Sequence, residues 1–485
     1  MPTLAKAAAR GFAWLTLQSL ATRAVQLLGQ VMLARVLSPE DFGKIGLAYT
    51  IATFAGLVVN PGLDDVLVQR QRGLRLWATT GFWLGLSLGV IGGVGMLAAA
   101  PLGVALYNEP ELFGLIMVLA IAAPIGATSI IPVAVMRSSL RFHLLAVQGT
   151  AEVVLLQILT LLFAYLGFGA YSFVLPVPLA SAARSIVAWT TVRPRVYMNP
   201  QLRRWRYLLP NVWMIFGTRL LITTVAQGDY VLLGLMASHT VVGVYYFAYT
   251  LAALPVRTVA GNLIQVMFPT LTLLAEDHVG QGKAALKASR ALATVAVPLC
   301  FLQAGVCRPV LHILFGDKWD AAVPLVQILS IGLAFDAVTW TAAALLQAKG
   351  QFRRILTYSC MAAPLFLVLV AVGASQWSAP GVAAGVAAYY ITLGPLYVFL
   401  VLRPHAVSWS QVATLYLIPV TLGAVSVGTG NSASRVLAAA GATDWLQIAV
   451  TTILSCLLYL PMSWWLATDV WSTLRSALQR ILKQA

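Results

Sequence analysis

The sequence predicts an all-α polytopic membrane protein of about fourteen transmembrane helices. Three observations carry that expectation. Of 485 residues, 60% are hydrophobic and 9% charged, with a mean hydropathy of +0.85. A soluble domain carries roughly 25% charged residues. The apolar residues recur in windows of about 20, the length of helix that crosses a bilayer's hydrocarbon core. Lys and Arg concentrate in every second connection between those windows, as the positive-inside rule requires. This composition excludes an ordinary cytosolic enzyme, a disordered chain and a disulfide scaffold.

In chain order the predicted spans lie near 11–36, 42–68, 77–99, 111–136, 146–167, 170–192 and 208–235. They continue at 240–271, 289–315, 321–348, 355–375, 380–402, 409–429 and 444–467. The start, MPTLAKAAARGFAW, lacks a short apolar core followed by a small-residue cleavage site, so the first window is expected to be a retained helix. Gly and Pro inside several windows are tolerated where neighbouring helices satisfy the freed backbone groups. Every connection is too short to fold as a separate domain. The four cysteines, Cys300, Cys307, Cys360 and Cys456, form no CxxC pair and point to neither a metal nor a disulfide framework.

Orientation follows from the loop cations. With a cytoplasmic N-terminus, 22 Lys and Arg fall on the inner side, from Lys6 and Arg10 through Arg203, Arg204 and Arg206 to Lys483. Five fall outside: Arg35, Lys44, Arg308, Lys318 and Arg435. The asymmetry predicts cytoplasmic N- and C-termini. It also explains the net charge of +16 without nucleic acid, because the cations are dispersed among loops. The densest basic stretch, RVYMNPQLRRWRY (Arg195–Tyr207), falls between spans six and seven. It reads as a topology signal, with contact to anionic membrane lipid as its functional alternative.

A shift of 200 residues lays LARVLSPEDFGKIGLAYT (Leu33–Thr50) over LGLMASHTVVGVYYFAYT (Leu233–Thr250). Leu33 meets Leu233, Gly43 meets Gly243, and Ala48-Tyr49-Thr50 meets Ala248-Tyr249-Thr250. Six spans separate the copies, so they share one orientation: a parallel repeat about an axis along the membrane normal. The expected organisation is a six-helix lobe (1–194), a basic cytoplasmic linker (195–207), a second six-helix lobe (208–403), and two extra helices with a tail (404–485). A cleft between two such lobes is the expected place for alternating access.

LARVLSPEDFGKIGLAYTIATFAGLVVNPGLDDVLVQRQ (Leu33–Gln71) resembles the N-terminal signature of the bacterial polysaccharide transporters of the MOP superfamily. Members read L(S/T)PxDFGxxxLA after span one, and LSPEDFGKIGLA (Leu37–Ala48) matches that element closely. GLDDVLVQ (Gly62–Gln69) matches the end of span two less well, because the Asp64-Asp65 pair is unusual there. The resemblance implies a MATE-like, V-shaped arrangement in the bacterial inner membrane, with spans one, two, seven and eight lining a central cavity. It implies a Wzx-type flippase of undecaprenyl-diphosphate-linked oligosaccharide, serving O-antigen, capsule or exopolysaccharide. The expected partners are that substrate, membrane lipids and the polysaccharide polymerase or export machinery.

Charges inside spans are costly, about 2.5–3.5 kcal/mol each on insertion scales, and normally face a cavity or a partner. The candidates are Arg23 (span one), Glu152 (five), Arg184 (six), Arg219 and Asp229 (seven), Arg257 (eight) and Asp336 (ten). A diphosphate needs concentrated cations, and arginine engages its oxygens bidentately. Arg23, Arg257 and Arg219 are therefore the candidate diphosphate contacts. Tyr49 and Tyr249 could stack on sugar rings, and packing between helices accounts for them equally well. Asp229 and Asp336 are candidates for gating or for coupling to H+ or Na+, with a structural ion pair as the alternative for Asp229. Glu152 and Arg184 read as a salt bridge within one lobe, and Asp64-Asp65 as local charge balance. Trp14, Trp77, Trp205, Trp319, Trp409, Trp464 and Trp471, near span ends, read as an interfacial belt.

No cofactor or metal is expected, and no GxxxxGK[ST] loop is present. Two other classes compete. A multidrug or cation antiporter of the same superfamily would favour cavity carboxylates over arginines. A polyprenyl-dependent membrane glycosyltransferase or ligase would carry a large outer loop with catalytic side chains, and His239 is the only histidine near an outer loop.

Overall fold

The structure, a computed structural model, describes residues 22–63, 74–139, 142–194, 196–207, 209–274 and 277–466. Among them all regular structure is helical. Residues 22–36 form α1. There follow α2 (Pro39–Val59), α3 (Leu74–Tyr107), α4 (Glu111–Ala127), α5 (Ile130–Ser138), α6 (Phe142–Tyr165), α7 (Tyr171–Val174), α8 (Pro176–Val192) and α9 (Leu209–Met236). Then come α10 (His239–Ala252), α11 (Leu254–Leu273), α12 (His278–Phe315), α13 (Ala322–Ala348), α14 (Phe352–Leu402), α15 (Trp409–Ala439) and α16 (Asp444–Leu466).

Every span window overlaps one of these helices. Among the described residues ten helices are long and apolar enough to cross a membrane, or eleven counting one bent pair. The chain is a multi-pass membrane protein, and this count is compatible with fourteen crossings. Asp64-Asp65, Trp14 and Trp471 lie outside the described residues.

Two spans are less regular than their apolar windows suggest. The fourth breaks between α4 and α5, which bend by 47°. The carbonyls freed there are satisfied from α8: Ser185 Oγ donates to Ile125 O (3.0 Å) and Trp189 Nε1 to Thr128 O (3.0 Å). The eighth breaks at Ala253, just before Pro255, and resumes as α11. The helix α14 is a hairpin of two arms that turn at Trp377-Ser378, where Ser378 has φ 52°. A Cβ on Gly373 would lie 2.0 Å from Gly381 O, so only glycine lets the two arms come this close. Phe366–Tyr389 and Tyr358–Tyr397 edge-to-face pairs continue the same seam.

The chain divides into two compact units, Met1–Gly243 and Val244–Ala485. In the first, α2 packs on α3, α4 and α9, and α8 packs on α4 and α6. The seventh span therefore groups with the first unit, because α9 runs along α2. In the second unit α13 packs on α11, α12 and α14. The last two helices, α15 and α16, pack on each other and on α12. Tyr459 of α16 donates its hydroxyl to Thr294 O of α12 (2.8 Å).

The repeat is visible in the backbone. Leu37 N bonds Leu33 O at 2.8 Å and Ala237 N bonds Leu233 O at 2.9 Å. Phe42 N bonds Ser38 O, and Val242 N bonds Ser238 O. Each copy is a helix end, a two-residue break and a new helix start. The two equivalent glycines also meet: a Cβ on Gly43 would fall 1.9 Å from His239 O, and one on Gly243 would fall 1.7 Å from Pro39 O.

Candidate functional site

The intramembrane charges separate by unit. In the first, Arg23 is half-buried on α1. Its neighbour Thr22 places Oγ1 3.4 Å from Thr150 Oγ1 of α6. Gly29, two turns on, leaves room for Gln157 of the same helix. The polar edge of α1 thus faces α6. Arg219 Nη1 donates to Asn60 O at 2.8 Å. Asn60 caps α2, so this cation sits at a helix C-terminus, where it complements the dipole. Asp229 is buried and its Oδ1 accepts the Tyr230 N–H (3.0 Å). Nearby, Thr50 Oγ1 of α2 lies 3.2 Å from Gln227 Oε1.

Glu152 and Arg184 form the salt bridge expected within one lobe, at 3.3 Å. Arg184 Nη2 also donates to Ser129 Oγ (3.0 Å), so the pair braces the broken fourth span. Tyr49 donates its hydroxyl to Phe173 O (3.0 Å), which commits its polar end to packing inside the unit.

In the second unit Arg257 is exposed although it lies in the first turn of α11, within a run apolar enough to cross the membrane. A charged guanidinium within such a run is costly in lipid and normally faces a cavity or a partner. Tyr246 of α10 lies within its electrostatic reach. Tyr249 is half-buried and tilted against Tyr245, with centroids 6.2 Å apart. Asp336 is half-buried near the middle of α13. Its Oδ1 accepts the Thr339 hydroxyl (2.9 Å) and its Oδ2 the Trp340 indole N–H (3.1 Å). Arg257 acts on it electrostatically from α11.

Two expectations need correction. Trp319 does not join the interfacial belt: it is fully buried, 4.0 Å from the Phe247 ring. Lys44 is no outer-loop cation but a buried residue of α2. Its Nζ lies 3.1 Å from Glu40, 3.1 Å from Glu111 and 3.8 Å from Glu109. Glu109 in turn lies 3.4 Å from His239 Nε2. This network joins the start of α2, the α3–α4 turn and the start of α10, beside the Gly43–Gly243 contact. Only the Glu40–Lys44 spacing hinted at it, as an i,i+4 pair.

No described group of three or more His, Cys, Asp or Glu side chains could hold a metal ion.

The family model described as "Polysaccharide biosynthesis protein" matches residues 32–324. The succinoglycan biosynthesis transport protein ExoT of Rhizobium meliloti is 23% identical over 78% of this chain and 76% of its own length. The lipopolysaccharide biosynthesis protein WzxC of Escherichia coli is 22% identical over 81% and 80%. Among solved structures, the lipid II flippase MurJ in its inward closed conformation superposes with a TM-score of 0.76 at 12% identity, covering 94% of this chain and 99% of that one. An inward-facing MATE-family multidrug transporter of the MOP superfamily gives 0.63 at 16% identity, over 82% and 98%. These likenesses establish the fold. With more than half of the chain matched by the family model, the protein belongs to the polysaccharide biosynthesis protein family.

Proposed function

We propose that this chain is a flippase that moves undecaprenyl-diphosphate-linked oligosaccharide from the cytoplasmic to the outer leaflet of the bacterial inner membrane. The observation that carries the reading is Arg257: an exposed guanidinium within an apolar span, in a family whose relatives include polysaccharide transport proteins. A diphosphate is the group on a lipid-linked sugar that calls for such a cation. Arginine binds its oxygens by charge-assisted hydrogen bonds, which are about twice as strong as neutral ones. Arg23 and Arg219 are secondary candidates for the same task, the latter shared with its bond to Asn60.

Transport proceeds by alternating access of the repeated lobes (1–194 and 208–403), joined by the 195–207 linker, with both termini cytoplasmic. The glycan headgroup crosses while the lipid tail stays in the bilayer. A ligand drives such an exchange only through different affinities for the two states. Direction comes from an H+ or Na+ gradient or from consumption of the product outside by a polymerase. The protein carries its substrate without changing it, so it is a transporter and not an enzyme.

The test replaces Arg257 or Arg23 by Ala and quantifies lipid-linked glycan in the outer leaflet of cells that depend on this chain. A fall for Arg257→Ala at normal protein levels supports the reading. Wild-type transport in both variants contradicts it.

A further inference from the structure

The basic stretch between spans six and seven plays no part in the reading of Arg257, and its described residues 196–207 have a definite shape. They lie as a strap across the start of α3. Tyr197 N donates to Thr79 Oγ1 (3.2 Å), Trp83 Nε1 to Tyr197 O (3.0 Å) and Thr80 Oγ1 to Gln201 Oε1 (3.0 Å). Trp205 donates its indole N–H to Pro200 O (3.1 Å), and its ring packs on the core formed by Leu63, Ala78, Leu84 and Ile131. Thr79, Thr80 and Trp83 belong to the first two turns of the apolar run that begins at Trp77. The strap is therefore pinned at the end of a span, where acyl chains give way to headgroups.

It turns two kinds of side chain outward. Tyr197 is 65% exposed, Leu202 63% and Met198 85%, and withdrawing such apolar surface from water is favourable. Beside them, on the 3-10 turn Leu202–Tyr207, the arginines are exposed. Arg206 lies over the Tyr207 ring and donates to its hydroxyl (2.8 Å). Arg203 has no ion pair among the described residues. No Asp or Glu occurs between Glu152 and Asp229, so the flanking sequence supplies no counter-ion. The neutral polar groups are used to hold the strap itself: Gln201 meets Thr80, and Asn199 Oδ1 accepts the Gln201 N–H (3.2 Å).

We propose that this strap is a binding site for an anionic phospholipid. Arg203 and Arg206 hold the headgroup, and Tyr197, Met198 and Leu202 lie against the upper acyl chains. Cations beside apolar and aromatic side chains match the two halves of such a lipid. A zwitterionic headgroup fits less well, because its own cation offsets its phosphate. A glycan headgroup would call for neutral donors and acceptors facing outward, which the strap spends on its own fold. The site is separate from the cargo site and does not depend on what the protein carries.

The experiment reconstitutes the purified full-length chain in nanodiscs of phosphatidylcholine with increasing phosphatidylglycerol. Mass spectrometry reads amide hydrogen exchange over 196–207. The expected result is slower exchange in this segment as phosphatidylglycerol rises, and no slowing from inorganic phosphate added to phosphatidylcholine discs. Arg203→Gln and Arg206→Gln should each need about five-fold more phosphatidylglycerol for the same protection, the worth of one basic residue at an anionic surface. Arg203→Lys, which keeps the charge, should stay close to wild type. So should Arg353→Gln, the same loss of charge at an exposed position in another connection. Equal exchange with and without phosphatidylglycerol overturns the proposal and leaves the stretch a topology signal. An unchanged lipid dependence in both Gln variants, or an equal shift in Arg353→Gln, also overturns it. Stronger protection by farnesyl diphosphate than by phosphatidylglycerol overturns the phospholipid assignment and gives the strap to the cargo. If neither Gln variant folds, high salt must remove the wild-type protection, and protection that survives salt overturns the site.

Discussion

Two groups of charge inside this protein are built in opposite ways. In the first unit Lys44 is enclosed by Glu40, Glu109 and Glu111, with His239 on the far side of Glu109. In the second unit Arg257 is exposed, and Asp336 rests on two neutral donors with, among the described residues, no ion pair within 4 Å. A buried cation surrounded by carboxylates is compensated and makes a clasp. An exposed guanidinium within an apolar span normally faces a cavity or a partner, and an acid held by neutral donors there is costly to ionise. We read the first group as structural and the second as the one that serves transport.

The sharpest way to break this comparison is Arg257→Ala. It should lower outer-leaflet lipid-linked glycan about ten- to hundred-fold, the worth of a charge-assisted contact to phosphate. Thermal stability in detergent should change little, because the side chain is exposed. Lys44→Gln should do the reverse. Glu109 is enclosed with Lys44 while Glu40 and Glu111 are half-exposed and screened by solvent, so the cost is about 1 kcal/mol, read as a lower melting temperature, with residual transport in proportion to the folded protein. A swap of these outcomes would reverse the assignment.

Next in size to Arg257→Ala is Gly43→Ala. Its Cβ would fall 1.9 Å from His239 O, a backbone atom that cannot swing aside. The expected loss is about 2 kcal/mol of stability, visible as a lower melting temperature. Gly56→Ala on the same helix meets nothing within 4 Å and should be neutral. A smaller effect than that of Gly43→Ala is expected at Ser378, whose φ of 52° and ψ of −133° suit glycine. Ser378→Gly should stabilise the α14 hairpin by about 1 kcal/mol without altering transport.

The apolar windows located the helices because span length and hydropathy are local properties. The 200-residue repeat was legible as matching residues, but that its equivalent glycines, Gly43 and Gly243, touch in space required the structure. The Lys44 network was not legible, since Glu109 and Glu111 approach it only when α3 and α4 fold back onto α2. The break after Ala127 was hidden inside a continuous apolar run, and its supporting side chains come from α8. Trp319 carries the composition of an interfacial residue, and only tertiary packing buries it against Phe247. Asp336 stood out as a lone acid in the sequence. Its neutral donors, the Thr339 hydroxyl and the Trp340 indole, required the structure.

The most direct measurement reconstitutes the purified chain in vesicles loaded asymmetrically with undecaprenyl-diphosphate-linked oligosaccharide and follows the appearance of the glycan on the opposite leaflet with a lectin. Translocation well above that of protein-free vesicles, and its collapse for Arg257→Ala, is the expected result. Equal rates with and without the protein, or an undiminished rate for Arg257→Ala, would contradict the account.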